Sequence, residues 1–565
     1  MIVQTISGPR HVCKEQGCSR SFKTTTSSSH KRDHTYSHHY TKPVNFQSML
    51  KPFKLATIVK FLASSGSPFV LVEDPQFRFI TGGTKFSRKT ASMKSREMSQ
   101  KLKRDLVTKL RSVKYVSLTM DIWTSIAVKP YLCCTVHYVD SESKMRSELL
   151  HFNSIDPPHT GSNIREKIEA IIDFYEIESS IVAITADGAA NEDCAIRQLN
   201  SIRSARNAYA IRRVFCVAHL INNVVRYGLE ELNSAIEKVR AITFDIKNSA
   251  RLTHLLKRAQ KVAGSKPLGV IKDVVTRWNS TFMMIERYVK LEPFLNDLIA
   301  TDVKLVEYQL LEHEVTQLRS SLELLRPFKV ATDFFSCSKS QNLGAVVNVY
   351  RELVSKMRGA RDLEGESSTL PTRLLHALET RKEKFESKDN MIAAALDPMW
   401  KFSPFIAQHE LQEVLMEALS LTREENTTSE CSQGRAADSE LFSIFSRPSV
   451  STYDDDDLQS YLNDKAGTQI EYHDWWKLNQ SKYPRLYELA MQFATIRATS
   501  VASEAKFSFA GNMIGTRRSQ LDDCSVEAIM TINSSDKVLQ PEPLDESDES
   551  DIIDTVILSS QESVG

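Results

Sequence analysis

Three acidic residues that are far apart in the chain stand where carboxylates could share divalent cations. Asp121 lies near the end of one β-forming run, Asp187 directly follows another, and Glu504 stands just inside the start of a probable helix. Carboxylates from separate elements can hold two cations about 3.5–4 Å apart, an arrangement that drives phosphodiester chemistry. Mg²⁺ or Mn²⁺ suits such a site because hard cations prefer oxygen ligands. The alternative is that Asp121 and Asp187 only cap neighbouring helices.

The elements around the first two acids predict a mixed α/β domain. Runs rich in β-branched and aromatic residues predict strands at Tyr115–Trp123, Tyr131–Val139, Glu148–Phe152, Ile181–Thr185 and Arg213–Cys216. Apolar residues at helical spacing predict a helix over Ile164–Tyr175, and another begins at about His219. Three strands, a helix, a strand, a helix and a strand match the ribonuclease-H-like arrangement, whose catalytic acids lie at strand ends.

The rest of the chain divides by composition and pattern. Helical spacing without strand alternation predicts helices over 41–113 and through most of 225–450, and the acidic stretch after 540 is low in aromatic residues. We predict six parts: a small Cys/His-rich unit at 10–40, a helical DNA-contacting region at 41–113, a first catalytic part at 114–225, a helical insertion at 226–455, a C-terminal region at 456–535 and a disordered acidic tail at 536–565.

Composition and charge point to a nucleic-acid partner. The 565 residues are 41% hydrophobic and 25% charged, which is ordinary for a globular protein. Residues 1–115 hold 22 Lys and Arg against six Asp and Glu, a net charge of +16, and 537–565 hold one basic and eight acidic residues, a net charge of −7. A basic region of this kind favours a polyanion such as double-stranded DNA, or else a solvated arm. No apolar run reaches the roughly 18–20 residues that span a bilayer, so no membrane partner is expected.

Cysteines and histidines near the N-terminus have the character of a zinc site. Two thiolates and two imidazoles make a closed tetrahedral set for Zn²⁺. The set that fits best is Cys13, Cys18, His34 and His38. His30 or His39 could replace one of the histidines. The alternative is a His-rich disordered arm.

Three further motifs each have two interpretations. Cys216 and His219 share a helix face, as metal ligands or as a buried structural pair. Arg277 and Trp278 could meet a phosphate and stack on an unpaired base, or Trp278 could be an ordinary core residue. The β-forming run Asp551–Ser560 within the acidic tail resembles a SUMO-interacting motif, although such runs also occur by chance.

Taken in chain order, several of these motifs resemble the hAT superfamily of DNA transposases and their domesticated relatives with BED-type zinc fingers. The matching motifs are Leu118-Thr-Met-Asp-Ile-Trp-Thr-Ser125, His159-Thr-Gly161, Thr185-Ala-Asp-Gly-Ala-Ala-Asn191, Cys216-Val-Ala-His219, Thr276-Arg-Trp-Asn-Ser-Thr281, Trp475-Trp476 with Tyr483-Pro484, and Ala498-Thr-Ser500 with Ser503-Glu504, Phe507-Ser508 and Gly511. Arg497 and Ala505 depart from the family pattern, which has Pro and Arg there.

The resemblance implies a fold of class α/β plus α, a ribonuclease-H-like catalytic domain interrupted by an all-helical insertion and preceded by a BED-like finger. It places the family's acidic triad on Asp121, Asp187 and Glu504, and His219 at a position near the active site. It places on Arg277 and Trp278 the pair associated with the flipped base at the transposon end. It also implies a nuclear location and a dimerisation region over 456–535.

Two functions remain open at this point. The first is a transposase that binds transposon ends and cleaves and joins DNA with Mg²⁺ or Mn²⁺. The second is a domesticated, non-catalytic DNA-binding regulator that dimerises. A zinc hydrolase is disfavoured because no HExxH or comparable ligand set occurs. The aromatic residues at Tyr461, Trp475 and Trp476 could form the dimer surface or pack against the insertion of the same chain.

Overall fold

A computed structural model describes most of the chain. The described residues are 2–5, 8–12, 21–23, 55–83, 85–126, 128–336, 343–364, 369–430, 453–465, 470–515 and 521–535. The predicted zinc ligands Cys13, Cys18, His34 and His38 and the run Asp551–Ser560 lie outside these ranges. In the part of the chain that the structure covers, no helix is long and apolar enough to cross a bilayer.

The elements are numbered in chain order. The strands are β1 Ile2–Thr5, β2 Gly8–Val12, β3 Ser21–Lys23, β4 Val116–Thr124, β5 Pro130–Val139, β6 Met145–Ser154, β7 Ile181–Ala186 and β8 Arg212–Phe215. The helices are α1 Leu55–Ser65, α2 Pro75–Ile80, α3 Arg88–Leu110, α4 Gly161–Tyr175, α5 Ala190–Ala205, α6 Val217–Leu229, α7 Asn233–Asn248, α8 Ala250–Val262, α9 Trp278–Thr301, α10 Glu312–Phe335, α11 Val346–Glu364, α12 Thr369–Glu379, α13 Lys382–Phe385, α14 Lys388–Leu396, α15 Gln408–Glu430, α16 Tyr453–Asn463, α17 Tyr472–Leu478, α18 Pro484–Ala494, α19 Val501–Ile514 and α20 Asp523–Asn533.

The described residues form two compact units, one drawn from 1–102 and 521–565 and the other from 103–520. In the first unit, β1, β2 and β3 form an antiparallel sheet. Helix α20 packs against α1, and the Asn533 amide donates to the carbonyl of Ala63 at 3.4 Å. Arg96 of α3 pairs with Asp522, the N-cap of α20, at 2.9 Å. Residues separated by more than 400 positions therefore close this unit.

The second unit is built on a five-stranded mixed sheet of order β6-β5-β4-β7-β8. Strands β4, β5 and β6 pair as an antiparallel meander, and β7 and β8 add in parallel to β4. This confirms the mixed α/β prediction, and each predicted strand lies within three residues of an observed one at either end.

Alternation along β4 divides its side chains between two faces. Val116, Leu118 and Met120 enter the core formed with α4 and α5. Ser117, Thr119 and Asp121 occupy the opposite face, as the two-residue period of a strand requires. The face with the polar residues is therefore the one that positions the first predicted site residue.

In the described residues between the sheet and the C-terminal helices, the helices α6 to α15 form a helical part. Their apolar faces share one core with β7, β8 and helices α16 to α18. The prediction that this stretch is helical is therefore confirmed. Helix α19 returns to the sheet, where Phe507 stacks on Trp123 with ring centroids 5.7 Å apart.

The aromatic residues of the C-terminal region pack within the chain. Trp476 is fully buried and its indole N–H donates to the Leu396 carbonyl at 3.0 Å. Tyr461 is also fully buried and donates to the Ala395 carbonyl at 2.9 Å, and Trp475 is 4% exposed. Of the two interpretations of these aromatic residues, the structure favours packing against the helical insertion of the same chain.

Candidate active site

Asp121 lies on β4 and is held by its own strand. Its side chain is on the face opposite the α4 and α5 core, and only 7% of the residue is exposed. The backbone N–H of Ile122 donates to Asp121 Oδ1 at 2.9 Å. A single hydrogen bond leaves most acceptor positions of this buried carboxylate for other groups.

Asp187 follows the last residue of β7, beside β4 in the sheet. The N–H of Ala189 donates to Asp187 Oδ1 at 2.7 Å, which fixes the carboxylate at the turn into α5. The Arg213 guanidinium donates to the Asp187 carbonyl and forms an ion pair with Asp193 at 2.8 Å. Because β4 and β7 are parallel neighbours, Asp121 and Asp187 meet at the same edge of the sheet.

A third carboxylate, Glu192, joins these two acids. One oxygen of each of Asp121, Asp187 and Glu192 lies within 4.8 Å of the others. Glu192 is 2% exposed, and its Oε2 has no hydrogen-bond partner among the described residues. No sequence motif distinguishes Glu192, because an acid in the first turn of a helix is common as a complement to the helix dipole.

Glu504 reaches the site on α19, which packs across the polar face of the sheet. Ser503 donates to the Thr119 carbonyl at 3.2 Å, and Phe507, one turn later, stacks on Trp123. Ser503 and Glu504 are adjacent, so the same packing that buries Ser503 carries the Glu504 carboxylate to the sheet edge. The Glu504 side chain is 27% exposed.

The segment before α19 is tied to the sheet and to α6. Thr185 of β7 donates to the Arg497 carbonyl at 2.7 Å, and the Val217 N–H donates to the Ala498 carbonyl at 2.9 Å. The Ser500 N–H donates to the sulphur of Cys216 at 3.3 Å. These three hydrogen bonds tie residues 497–500 to β7 and to the start of α6, and so they determine where α19 begins.

Glu504 belongs to a second group, with Cys216 and His219, whose ligand atoms also lie within 4.8 Å of one another. The distance from His219 Nε2 to Glu504 Oε1 is 4.0 Å. Cys216 is buried at the N-cap of α6, and His219 stands three residues later on the same helix. The structure thus brings Asp121 and Asp187 together directly and places Glu504 beside His219.

The electrostatics of these residues link the two groups. Burial and the nearby charges of Glu504 and Asp187 raise the pKa of Asp121 to about 7, although the cationic His219 opposes them. Burial would lower the pKa of His219, but contact with Cys216 and the charges of Asp121 and Glu504 outweigh it and raise that pKa to about 10. Burial and a hydrogen bond with Asp187 raise the pKa of Glu192 well above its usual value.

The converging carboxylates fit a hard divalent cation. Burial, with the added charges of Glu504 and Asp187, raises the pKa of Asp121, and one oxygen of the buried Glu192 has no partner among the residues described. Oxygen-only donors suit Mg²⁺ or Mn²⁺. Asp121 and Asp187 would hold the ion or ions, with Glu504 as an adjacent donor and Glu192 in contact with Asp187.

Arg277 and Trp278 start α9, next to a cavity of about 480 Å³. Arg277 is exposed, but Trp278 is 2% exposed and packs edge-to-face against Phe282. Trp278 lines the cavity, and its indole N–H has no partner among the described residues. Asn223 and Arg226, which follow His219 along one face of α6, line the same cavity.

Comparisons with protein-family models match three parts of the chain. Residues 119–211 match the ZBED1 RNase-like domain, and residues 214–322 match the ZBED1 RNase-like helical domain. Residues 455–535 match the hAT family C-terminal dimerisation region. Asp121 and Asp187 thus lie within the RNase-like match, and Glu504 lies within the C-terminal one.

Similar proteins include transposases and regulators. The chain is 24% identical over 541 residues to the "Putative AC transposase" of Zea mays, and the match covers 86% of this chain and 66% of that protein. It is 24% identical over 540 residues to the "Putative transcriptional regulator tpeD" of Talaromyces stipitatus. That match covers 87% of this chain and 63% of that protein. It is 22% identical over 528 residues to the "Zinc finger BED domain-containing protein RICESLEEPER 1" of Oryza sativa. That match covers 82% of this chain and 71% of that protein.

The first of these relatives is longer than the part matched, since the chain spans slightly less than two thirds of its length. The three family models nevertheless occur in one order along the same chain, and the relatives extend over most of it. The mixed sheet, the helical insertion and the returning C-terminal helix are in accord with that order. The chain is thus similar over most of its length to AC-type transposases and BED zinc-finger proteins, and its C-terminal region matches that of the hAT family.

Proposed function

We propose that the protein is a hAT-type DNA transposase that binds transposon ends and cleaves and joins DNA at the site formed by Asp121, Asp187 and Glu504. The observation that carries the proposal is the convergence of Asp121 and Asp187, on parallel neighbouring strands, within 4.8 Å of a third buried carboxylate. Burying several carboxylates next to one another is costly, so a functional reason for the cluster is favoured over a structural one.

Each residue has a defined task in this proposal. Asp121 and Asp187 present carboxylate oxygens at the sheet edge, and Glu504 supplies a third from α19. Burial and contact with Asp187 raise the pKa of Glu192 well above its usual value, which favours a proton shared between these two carboxyl groups that would fix the orientation of Asp187. His219 is cationic at neutral pH and balances the charge of Asp121 and Glu504. Bound Mg²⁺ or Mn²⁺ would lower the pKa of the attacking water or hydroxyl and stabilise the leaving oxygen.

The same proposal assigns DNA contacts to Arg277, Trp278 and His219. The open face of α6 runs from His219 to Asn223 and Arg226, and the cavity lined by Trp278 opens on that face. Arg277 is exposed at the start of α9 and can meet a phosphate. Because Trp278 is buried, an unpaired base would have to enter the cavity to reach its indole edge.

A cleavage assay tests the proposal. The substrates are duplexes that carry the inverted repeats flanking the gene, with Mg²⁺ or Mn²⁺ in the buffer. We expect metal-dependent nicking by the parent protein and a loss of at least about 100-fold for Asp121→Asn, Asp187→Asn and Glu504→Gln, because each removes one charge that the metal site needs.

The matched control is Glu142→Gln, which neutralises an acid in the turn between β5 and β6 whose side chain is 66% exposed. This variant should cleave like the parent. Cleavage by Asp121→Asn at the parent rate would refute the catalytic assignment.

A domesticated DNA-binding regulator that dimerises is the second candidate. Ala505 stands directly after Glu504 where the family has Arg, and one relative is named as a transcriptional regulator. In that case the protein would bind duplex DNA and bind Mn²⁺ weakly or not at all, and no metal would support cleavage. Occurrence of the gene in many near-identical copies with short flanking repeats would favour the transposase.

The remaining assignments complete the proposal. A BED-like finger would bind Zn²⁺ through Cys13, Cys18, His34 and His38. The C-terminal region would support homo-oligomers, the protein would act in the nucleus, and the run at Asp551–Ser560 would bind SUMO. Binding to DNA should weaken steeply with salt, since the basic N-terminal region contacts phosphates.

A further inference from the structure

The group formed by Cys216, His219 and Glu504 differs in chemistry from the carboxylate cluster beside it. It offers a sulphur, an imidazole nitrogen and a carboxylate oxygen within 4.8 Å of one another. In a tetrahedral zinc site, bonds of about 2.0–2.3 Å place neighbouring ligand atoms roughly 3.3–3.8 Å apart. His219 Nε2 and Glu504 Oε1 are 4.0 Å apart, so rotamer adjustments of less than about 1 Å would complete that geometry.

The donor types select the kind of metal. A thiolate and an imidazole are soft and borderline ligands that favour Zn²⁺ or Co²⁺, whereas Mg²⁺ and Ca²⁺ prefer oxygen. The carboxylate oxygens of Asp121 and Asp187 have the opposite preference. Two neighbouring sites of different selectivity therefore share one edge of the sheet.

The surrounding structure supports ligation by Cys216. The sulphur accepts a hydrogen bond from the Ser500 N–H at 3.3 Å, which holds it in place at the N-cap of α6. The side chains of His219 and Glu504 are 31% and 27% exposed, so an ion has access from solvent.

We propose that Cys216, His219 and Glu504 form a second cation site, which binds Zn²⁺ and withdraws Glu504 from the carboxylate site. Binding would displace the protons of the thiol and of the imidazolium and release them to solvent. The fourth position would be filled by water. The regulatory consequence rests on the proposed function, whereas the binding itself does not.

Cobalt(II) is the probe that reports this site directly, because a thiolate ligand gives it a charge-transfer absorption that oxygen ligands do not give. The background is the full chain with Cys13→Ser and Cys18→Ser, so that the candidate finger does not contribute. We expect about one Co²⁺ per chain with this band, and displacement of the band by Zn²⁺. Cys216→Ser should abolish the band, and Asp121→Asn should keep it.

A second variant keeps the test decisive if Cys216→Ser does not fold. His219→Gln retains the thiolate and removes the imidazole, and should weaken Co²⁺ binding at least about tenfold. Unfolding temperatures without metal show which variants are folded. An absent band in the background protein, or an unchanged band in Cys216→Ser, would overturn the proposal.

The effect of Zn²⁺ on the carboxylate site is tested by measuring Mn²⁺ binding. Electron paramagnetic resonance gives the concentration of free Mn²⁺. One equivalent of Zn²⁺ should weaken Mn²⁺ binding about fivefold or more in the background protein and not in Cys216→Ser. An equal effect of Zn²⁺ on both proteins would mean that Zn²⁺ enters the carboxylate site instead. If the Co²⁺ band is present but no metal supports DNA cleavage, the zinc site stands and the transposase proposal fails.

Discussion

Replacing Asp121 by Asn should stabilise the metal-free protein at high pH. The pKa of Asp121 is about 7 in the folded chain, against 3.8 for an ordinary Asp. The folded protein therefore keeps a proton that the unfolded chain has lost, and stability falls as pH rises from about 4 to 7. The penalty is about 2 kcal/mol at pH 5 and about 4 kcal/mol at pH 8, because one pKa unit corresponds to about 1.4 kcal/mol. The Asp121→Asn substitution removes this stability penalty, because the amide does not ionise.

The expected change in unfolding temperature follows from the size of the unit that contains the site. Residues Lys103–Gln520 form that unit, which is 418 residues. An unfolding entropy of about 2.1 cal/mol/K per residue gives about 0.9 kcal/mol/K. A gain of about 4 kcal/mol then raises the unfolding temperature by about 4–5 °C at pH 8, and by about half as much at pH 5.

The assay is calorimetry in EDTA at several pH values, with Glu142→Gln as the control that should show no pH-dependent difference. Addition of Mg²⁺ should raise the unfolding temperature of the parent more than that of Asp121→Asn, because metal binding favours the folded state. A lower unfolding temperature for Asp121→Asn at pH 8 would refute the reasoning. It would mean that the ionised Asp121 is a stabilising partner of His219, and so a structural residue.

Three further predictions concern the same unit. Mn²⁺ binding should strengthen up to about tenfold per pH unit below pH 7 and level off above it, because the pKa of Asp121 is about 7; a pH-independent affinity contradicts this. Glu192→Gln should keep Mn²⁺ affinity within about threefold, since the amide still donates to Asp187, whereas Glu192→Ala should lose 10–100-fold; equal losses would make Glu192 a ligand. Trp475→Ala should lower the free energy of unfolding by about 3–5 kcal/mol, since Trp475 is buried within the chain. Light scattering should show that any oligomer stays intact, whereas dissociation would make Trp475 a dimer contact.

The sheet could be predicted from sequence because each strand carries a local signal. β-branched and aromatic runs mark β4, β5 and β7, and alternation along β4 puts Asp121 on the face opposite Leu118 and Met120. Glu192 could not be found this way, because its position in the first turn of α5 has an ordinary explanation. Burial next to two other carboxylates is a tertiary property that no local pattern contains.

Glu504 could be assigned to the site only through the motif resemblance. The structure shows which interactions place it there. Ser117 donates to the Thr495 carbonyl, Thr185 donates to the Arg497 carbonyl at 2.7 Å, and Ser503 donates to the Thr119 carbonyl at 3.2 Å. All of these hydroxyls are buried, and a buried hydroxyl without a partner costs about 1–3 kcal/mol. An apolar surface would accept many packing arrangements, whereas these donors require carbonyls at fixed positions. The polar face of β4 and β7 therefore selects one register for residues 495–503, and that register places the Glu504 carboxylate beside His219.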